Sequence, residues 1–262
     1  MTRSYFPNFE GKHDGTPLIN AEHFVSHLID DSSVVIPEAV ILGYSPRLLP
    51  LLQTRDFVET PGYSIRWKMW LRQDERAVQV GVVEGFGIGA PGAAIVVEEL
   101  AALGVKRFIN LGATGALATS IDLYDAVLCT GALRDEGVSH HYLPPSRYAY
   151  PSTGLTQQLR KALSASGRSF HEGPTWTIDA IFRETVEEAI AYRDEGVLTV
   201  DMEASAIFTV GKVRGVETAS LFWVSDHLLV QPEWTRAPMS EDRTLALAHI
   251  LDAALAVLEQ PA

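Results

Sequence analysis

The stretch from Val78 to Leu117 constrains the fold more than any other part of the chain. An apolar run, Val78–Val83, leads into a glycine-rich turn that holds Gly85, Gly87, Gly89 and Gly92. A helical pattern follows over Ile95–Leu103. A second apolar run, Val105–Leu111, leads into a second glycine turn at Gly112 and Gly115. Strand, helix and strand in that order make a βαβ unit, whose crossover sets the two strands parallel. In open α/β sheets, ligands bind beyond the carboxyl ends of the strands. Glycine there leaves peptide N–H groups open to an oxyanion or a sugar hydroxyl. The two glycine turns are therefore expected to form one pocket floor.

Gly87, Gly89 and Gly92 also fit the dinucleotide pattern G-x-G-x-x-G. That pattern wants an acidic residue about 20 positions on, after the second strand. Here the second strand runs into Asn110, Leu111 and Gly112, with no carboxylate in place. A nicotinamide or flavin site is therefore disfavoured, and no cofactor is expected.

Strand and helix patterns alternate through most of the 262 residues, 47% of which are hydrophobic. The expected class is α/β, a single domain over 34–262, preceded by an irregular segment over 1–33. A formal net charge of −12 argues against nucleic acid and against an anionic membrane surface as partners. The longest apolar runs are far short of a membrane span. Met1–Phe6 lacks the apolar core of a signal peptide. Cys129 is the lone cysteine and lies in an apolar run, which reads as a buried core thiol in a reducing, cytoplasmic setting. The adjacent His140 and His141 lack a second pair at zinc-ligand spacing, so no metal is expected.

Asn20–Leu28 is weakly helical, with Asn20 placed to cap it. Val34–Leu42 reads as a strand ending at Gly43, with Arg47 just beyond and a helix over Leu48–Thr54. A glycine at a strand end followed by an arginine is a candidate anion site. Tyr63–Leu71 alternates as a strand, and Arg72–Arg76 is a charged turn. Ala126–Gly131 is a strand that leads into a long polar loop with Arg134, Glu136 and Tyr142, of the kind that covers a pocket. Thr156–Ser166 is helical, Ser169–Trp176 a strand, Thr177–Glu184 a loop and Thr185–Glu195 a helix. Val197–Val200 and Thr218–Val224 are strands, and Met239–Gln260 is the last helix. Asp179, Glu203 and Asp226 fall at strand ends or just after them. A carboxylate there can be desolvated and act as a general acid, while a second can grip a diol.

At these residues the chain resembles the nucleoside phosphorylase family, which includes uridine phosphorylases, hexameric purine nucleoside phosphorylases, methylthioadenosine phosphorylases and related nucleosidases. The resemblance runs from about Val34 to Leu258. It is carried by Gly87–Ile95 with Glu98–Leu100, Gly112–Leu117, Arg134–Gly137, Asp201–Ala204 and Val224–Asp226. It implies a mixed central sheet flanked by helices and a homo-oligomer built from dimers, usually a hexamer. It also implies phosphorolysis of a nucleoside, with inorganic phosphate as co-substrate.

Residue by residue, the resemblance places Asp226 as the acid that protonates a purine leaving group. Met202 and Glu203 would hold the ribose, and Ile181 and Phe182 would line the base pocket. Gly87 and Thr114 fall at the substrate floor, and His23 matches a histidine that a neighbouring subunit lends to the sugar. Gly43 and Arg47 match the first phosphate loop, Asn110 stands at a phosphate-binding position, and Arg66 is the candidate for an arginine lent by the neighbour. The chain departs from the phosphorylase pattern at that phosphate site. The family's arginine is Asn110 here, and its serine or threonine is Ala113. An amide does not replace a guanidinium as an oxyanion donor. Asn110 and Gly112 look instead like the nucleosidases, which use water. Those keep a glutamate near the first glycine loop, where this chain has Tyr44 and Ser45. Hydrolysis of the same bond is the alternative reading, and a non-catalytic nucleoside-binding protein is a third.

Overall fold

The structure is a computed structural model and describes residues 9, 11–27, 34–64, 66–72, 79–228, 235–236, 238 and 240–261. The N-terminal residues 1–8, most of the charged turn over 72–76 and the start of the apolar run at Val78 lie outside the described residues. The first elements are α1 (Ala21–Ser26), β1 (Ala39–Gly43), α2 (Leu48–Gln53), β2 (Phe57–Thr60) and β3 (Lys68–Arg72). Asn20 does cap α1, its side chain accepting from the His23 N–H at 2.8 Å. The βαβ unit follows as β4 (Val80–Glu84), α3 (Ala90–Leu103) and β5 (Arg107–Ala116). Next come β6 (Ala126–Asp135), α4 (Ser139–Tyr142), β7 (Tyr148–Ala149), α5 (Thr153–Ala165), β8 (Phe170–Ile178) and α6 (Val186–Asp194). The chain finishes with β9 (Thr199–Asp201), α7 (Ala204–Arg214), β10 (Glu217–His227), β11 (Thr235–Arg236) and α8 (Glu241–Leu258).

Among the described residues eleven strands form one mixed sheet. All five residues of β1 are buried, and β1 runs parallel between β4 and β5. Such a strand is covered on both faces, which is why it reads as a continuous apolar run. The alternation of the pleat then sorts its side chains between two cores. Ile41 joins Leu48, Leu159, Leu163, Ile250 and Leu251 beneath α2, α5 and α8. Val40 and Leu42 join Val96, Leu100, Ile207 and Phe208 beneath α3 and α7. Each such buried side chain contributes about 1.5–3 kcal/mol of transfer free energy. Arg107 closes the layer under α8, donating to the carbonyls of Leu258 and Gln260 at 2.8 and 2.7 Å. Those carbonyls lie at the end of the helix, where its own ladder leaves them without partners.

Two expectations are corrected. The second glycine turn is no turn: β5 continues through Gly112 and Gly115 to Ala116. Its far end is kept in register by β9, which pairs antiparallel at Gly115 and Ala116, and by β10, which pairs parallel along its length. Because β10 also pairs with β6, and β8 joins β6 to β9, the sheet closes there into a ring of β5, β10, β6, β8 and β9. Likewise, β6 and β10 run on past the ends of their apolar runs, to Asp135 and His227. The segment after β6 does not cover the pocket floor. Arg134 is buried and pins it, donating to Ser139 Oγ, Leu143 O, Pro144 O and Ser146 Oγ.

Candidate functional site

A cavity of about 740 Å³ opens where β5, β9 and β10 end at the ring closure. Its floor is Gly112, Ala113, Thr114 and Gly115 of β5. Asp226 reaches it through a bulge: Val224 pairs with Thr114 and Asp226 with Gly115, leaving Ser225 unpaired between them. A bulge adds one residue to one strand and re-aims the side chains that follow. The Ser225 hydroxyl donates to Asp226 Oδ1 at 2.5 Å and orients the carboxylate. A Cβ at Gly115 would collide with Leu228 Cδ1 and stand 3.2 Å from both Asp226 Oδ2 and Val200 Cγ1, so the side chains packed over this point of β5 leave room for glycine.

Glu203 comes from the other wall. Asp201 ends β9 and turns its carboxylate over the start of α7, accepting from the Glu203 and Ala204 N–H groups at 3.0 and 2.7 Å. Its other oxygen accepts from Thr177 Oγ1 at 2.7 Å. This exhausts Asp201 as a structural cap. Glu203 is left lining the cavity, where its Oε1 accepts from the Gly89 N–H at 2.6 Å. Gly89 sits at φ 97° and ψ 159°, backbone open essentially to glycine alone, and this pose aims its N–H at the carboxylate. Burial, and then the charge of Asp201, push the Glu203 carboxyl up from its ordinary range. A sugar diol that donates to it supplies what desolvation removed.

The remaining lining divides into an apolar lip and a polar rear. Ile88, Ile181 and Phe182 are exposed at the mouth, Phe182 by 95%. Large apolar side chains held in solvent around a cavity mark a face built for a ligand. Met202 is half-buried beside Glu203. The polar groups Tyr44, Glu184 and Arg243 line the same cavity and do not stand out in the sequence. Tyr44 follows the end of β1, and its buried hydroxyl has no hydrogen-bond partner among the described residues. Burial first, then Glu203 and Asp201, push the Tyr44 phenol up, so it stays a neutral donor. Arg243, in the first turn of α8, stacks its guanidinium 4.8 Å from the centre of the Trp223 ring.

The other residues singled out in the sequence take varied positions. Thr114 lines the floor while its hydroxyl donates to the Val200 carbonyl at 2.7 Å, holding β9 to β5. Asn110 shares the face of β5 with Gly112 and Thr114 but lies one step below them, fully buried, donating to Ser220 Oγ at 3.1 Å. Gly43 and Arg47 flank the turn that carries Tyr44, and Gly87 lies in the turn before α3. None of the three is among the residues lining the cavity. Asp179 is exposed, accepts from the Gly137 N–H at 2.8 Å and is not among the residues lining the cavity, although its charge still acts on Glu203. Arg66 and His23 also lie outside the cavity. Arg66 pairs with Glu99 and stacks on Phe24, and His23 is exposed on α1.

A buried carboxylate and a bulge-aimed carboxylate facing one cavity with an apolar lip can grip a diol and protonate a leaving group. The chain is 33% identical over 143 residues to a guanosine phosphorylase of Halorubrum lacusprofundi, a match spanning 55% of this chain and 59% of that protein. It is 30% identical over 191 residues to the uridine phosphorylase of Haemophilus influenzae, covering 68% and 76% of the two chains. A crystal structure of uridine phosphorylase from Vibrio fischeri superposes with a TM-score of 0.73 at 25% identity, over 90% of this chain and 98% of that one. The model of the phosphorylase superfamily matches residues 37–259, a span that takes in the cavity from Tyr44 to Arg243, and the chain belongs to that superfamily.

Proposed function

We propose that this protein is a nucleoside phosphorylase that cleaves the N-glycosidic bond of a purine nucleoside with inorganic phosphate, giving free base and sugar 1-phosphate. The observation that carries this is the convergence of Glu203 and Asp226 on one cavity from different walls. Breaking the bond builds positive charge on the ribose and negative charge on the base. Asp226 protonates the base at N7 as it leaves, which removes the second charge. Glu203 accepts from the ribose hydroxyls, Met202 packs on the sugar, and Ile181 and Phe182 cover the base. The turn carrying Gly43 and Arg47 is the side from which phosphate approaches. No cofactor takes part in this reading.

The position of Asn110 supports a second reading. An amide buried below the floor presents no cation to a phosphate, so water as nucleophile is the alternative. Incubating the protein with inosine, guanosine, adenosine and uridine, with and without phosphate, separates the two. Base release that needs phosphate and yields sugar 1-phosphate is the expected result. Release at equal rate without phosphate overturns phosphorolysis in favour of hydrolysis, and binding without any release leaves a binding protein.

A homo-oligomer built from dimers, and a cytoplasmic location, belong to the same proposal. A separate groove of about 1040 Å³ lies between the N-terminal segment and α3, with Arg66 in its wall. Leu18, Ile19, Ile95 and Val213 are exposed around it. Such a patch suits a second copy of this chain. Arg66 and His23 lie on this side, where one subunit can present them to its neighbour's cavity.

A further inference from the structure

We propose that Tyr44 is a positioning residue for Glu203: its hydroxyl becomes a donor to the Glu203 carboxylate when that group ionises to grip the ribose diol. This rests on the reading of Glu203 as the ribose ligand, and it names the group that sets the pH at which the sugar is held.

Tyr44 is fixed beside the sugar wall. It follows Gly43 at the end of β1, and its ring meets Phe86 edge to face with centroids 5.0 Å apart. Phe86 belongs to the turn between β4 and α3, the same turn whose Gly89 N–H bonds Glu203. That turn lies close on the start of α3, because a Cβ at Gly92 would stand 2.9 Å from the Phe86 carbonyl oxygen. Tyr44 and Glu203 thus line one cavity and touch the same tightly packed turn.

The Tyr44 hydroxyl is shut off from solvent and has no hydrogen-bond partner among the described residues. Native proteins rarely leave a buried donor without an acceptor. Two carboxylates act on this one, Glu203 and Asp201. Asp201 is engaged already, by the Glu203 and Ala204 N–H groups and by Thr177 Oγ1. Glu203 faces the cavity and accepts from the backbone N–H groups of Gly89 and Met202. A carboxylate has about four lone-pair sites, so Glu203 is the acceptor with capacity to spare.

The state of the empty cavity explains why the bond is not yet made. Burial, and then the charge of Asp201, favour the protonated form of Glu203 against the pull of those two N–H groups. A neutral acid is a weak acceptor for a phenol. A ribose diol brings two O–H donors and favours the ionised form. Sugar binding therefore sends the Glu203 proton to solvent. The carboxylate left behind draws the Tyr44 O–H, which burial keeps protonated. The donor that folding leaves without an acceptor and the acid that folding holds neutral satisfy each other in one step.

The sign of the pH effect follows. A hydrogen bond to the charged form lowers a carboxyl pKa. Without the Tyr44 hydroxyl, Glu203 keeps its proton to higher pH and grips the diol only above it. The other titratable and charged groups around Glu203 are Asp201 on β9, Asp179 after β8, Asp226 on β10, Glu184 before α6 and Arg243 on α8. They act alike on a nucleoside and on its analogue without ribose hydroxyls, so the ratio of the two isolates the diol.

The test is the dissociation constant of inosine and of 2′,3′-dideoxyinosine, without phosphate, from about pH 6 to about pH 9.5. It is measured in Asp226→Asn, which prevents turnover, and in Asp226→Asn with Tyr44→Phe. The expected result is a preference for inosine that grows as pH rises and then levels off. With Tyr44→Phe the rise moves up by about one pH unit or more, so inosine binds about tenfold more weakly on the rising limb. The two proteins converge at high pH, and dideoxyinosine binds both equally. A second measurement leaves Tyr44 in place. Calorimetry of Asp226→Asn in two buffers of different ionisation enthalpy should show a proton released when inosine binds on the rising limb, and none with dideoxyinosine. An unshifted limb, an equal loss for both ligands at every pH, or inosine binding without proton release overturns the assignment and leaves the nucleoside reading intact. Failure of the unaltered protein to bind or cleave inosine, guanosine, adenosine or uridine overturns the nucleoside reading itself and this assignment with it.

Discussion

Asp226 and Tyr44 line one cavity and should respond to substitution in opposite ways. Asp226→Asn keeps the volume and the contact with Ser225 but has no proton to give. A positioned general acid contributes about 10²–10⁴-fold, so kcat with inosine should fall by that factor. A nucleoside already methylated at N7 departs as a neutral base and needs no proton. Its cleavage should be nearly unaffected, and an equal loss on both substrates would mean that Asp226 only shapes the cavity. Tyr44 carries a hydroxyl that folding buries without a partner. Removing an unpaired polar group relieves its desolvation cost, so Tyr44→Phe should unfold at the same urea concentration or higher, by up to about 1 kcal/mol. Destabilisation would show that the hydroxyl has a partner in solution.

At the scale of elements, the turn between β4 and α3 couples backbone geometry to Glu203, the proposed ribose ligand. Gly89→Ala places a Cβ at φ 97° and swings the N–H away from Glu203. Such a pose costs a non-glycine residue about 1–3 kcal/mol, readable as a lower urea midpoint. The nucleoside KM should rise in the same variant, and an unchanged KM would detach this turn from the site. Glycine signalled this turn in the sequence, because a glycine run between a strand and a helix has a local cause. Asp226 and Glu203 were legible for the same kind of reason, one near the end of an apolar run and the other where a helix begins. Gly112 and Gly115 read as a turn in the sequence and lie within strand β5 in the structure. Their cause is remote: β9 and β10 hold the ladder open past Leu111, and Leu228, with Asp226 and Val200 around it, packs over Gly115. Asp179 carried the same local signal as the other two acids, but it serves the loop after β6 instead. Glu184 and Arg243 carried no local signal at all. One precedes an acidic helix start and the other sits in an ordinary first turn, and only the ring closure brings them to the cavity.

At the scale of the whole molecule, the proposed sharing of residues between subunits can be tested without knowing the interface in detail. Within one chain Arg66 stands in the wall of the groove beside α3, and it does not line the cavity of Asp226. In a two-fold dimer each subunit presents the same surface to the other, so a residue given to the neighbour's site is received in return. Two variants then fail for different reasons. Asp226→Asn has a dead site but still presents Arg66, whereas Arg66→Met has an intact Asp226 but presents nothing. Each alone should be nearly inactive with phosphate. After dissociation in mild denaturant and reassembly in equal amounts, half of the dimers are mixed. Each mixed dimer has one site with both residues, so about a quarter of the wild-type activity should return. Mixing without dissociation should restore none, which controls for simple addition of residual rates. Sedimentation of Ile95→Arg adds an independent check, because a charge at that exposed apolar position opposes pairing while leaving the core of α3 untouched. It should sediment as the 28.7 kDa monomer, and its phosphate-dependent activity should fall with dissociation. If the reassembled mixture stays inactive while the oligomer forms normally, Arg66 works only within its own chain as the partner of Glu99, and the phosphate must be held by residues of a single subunit.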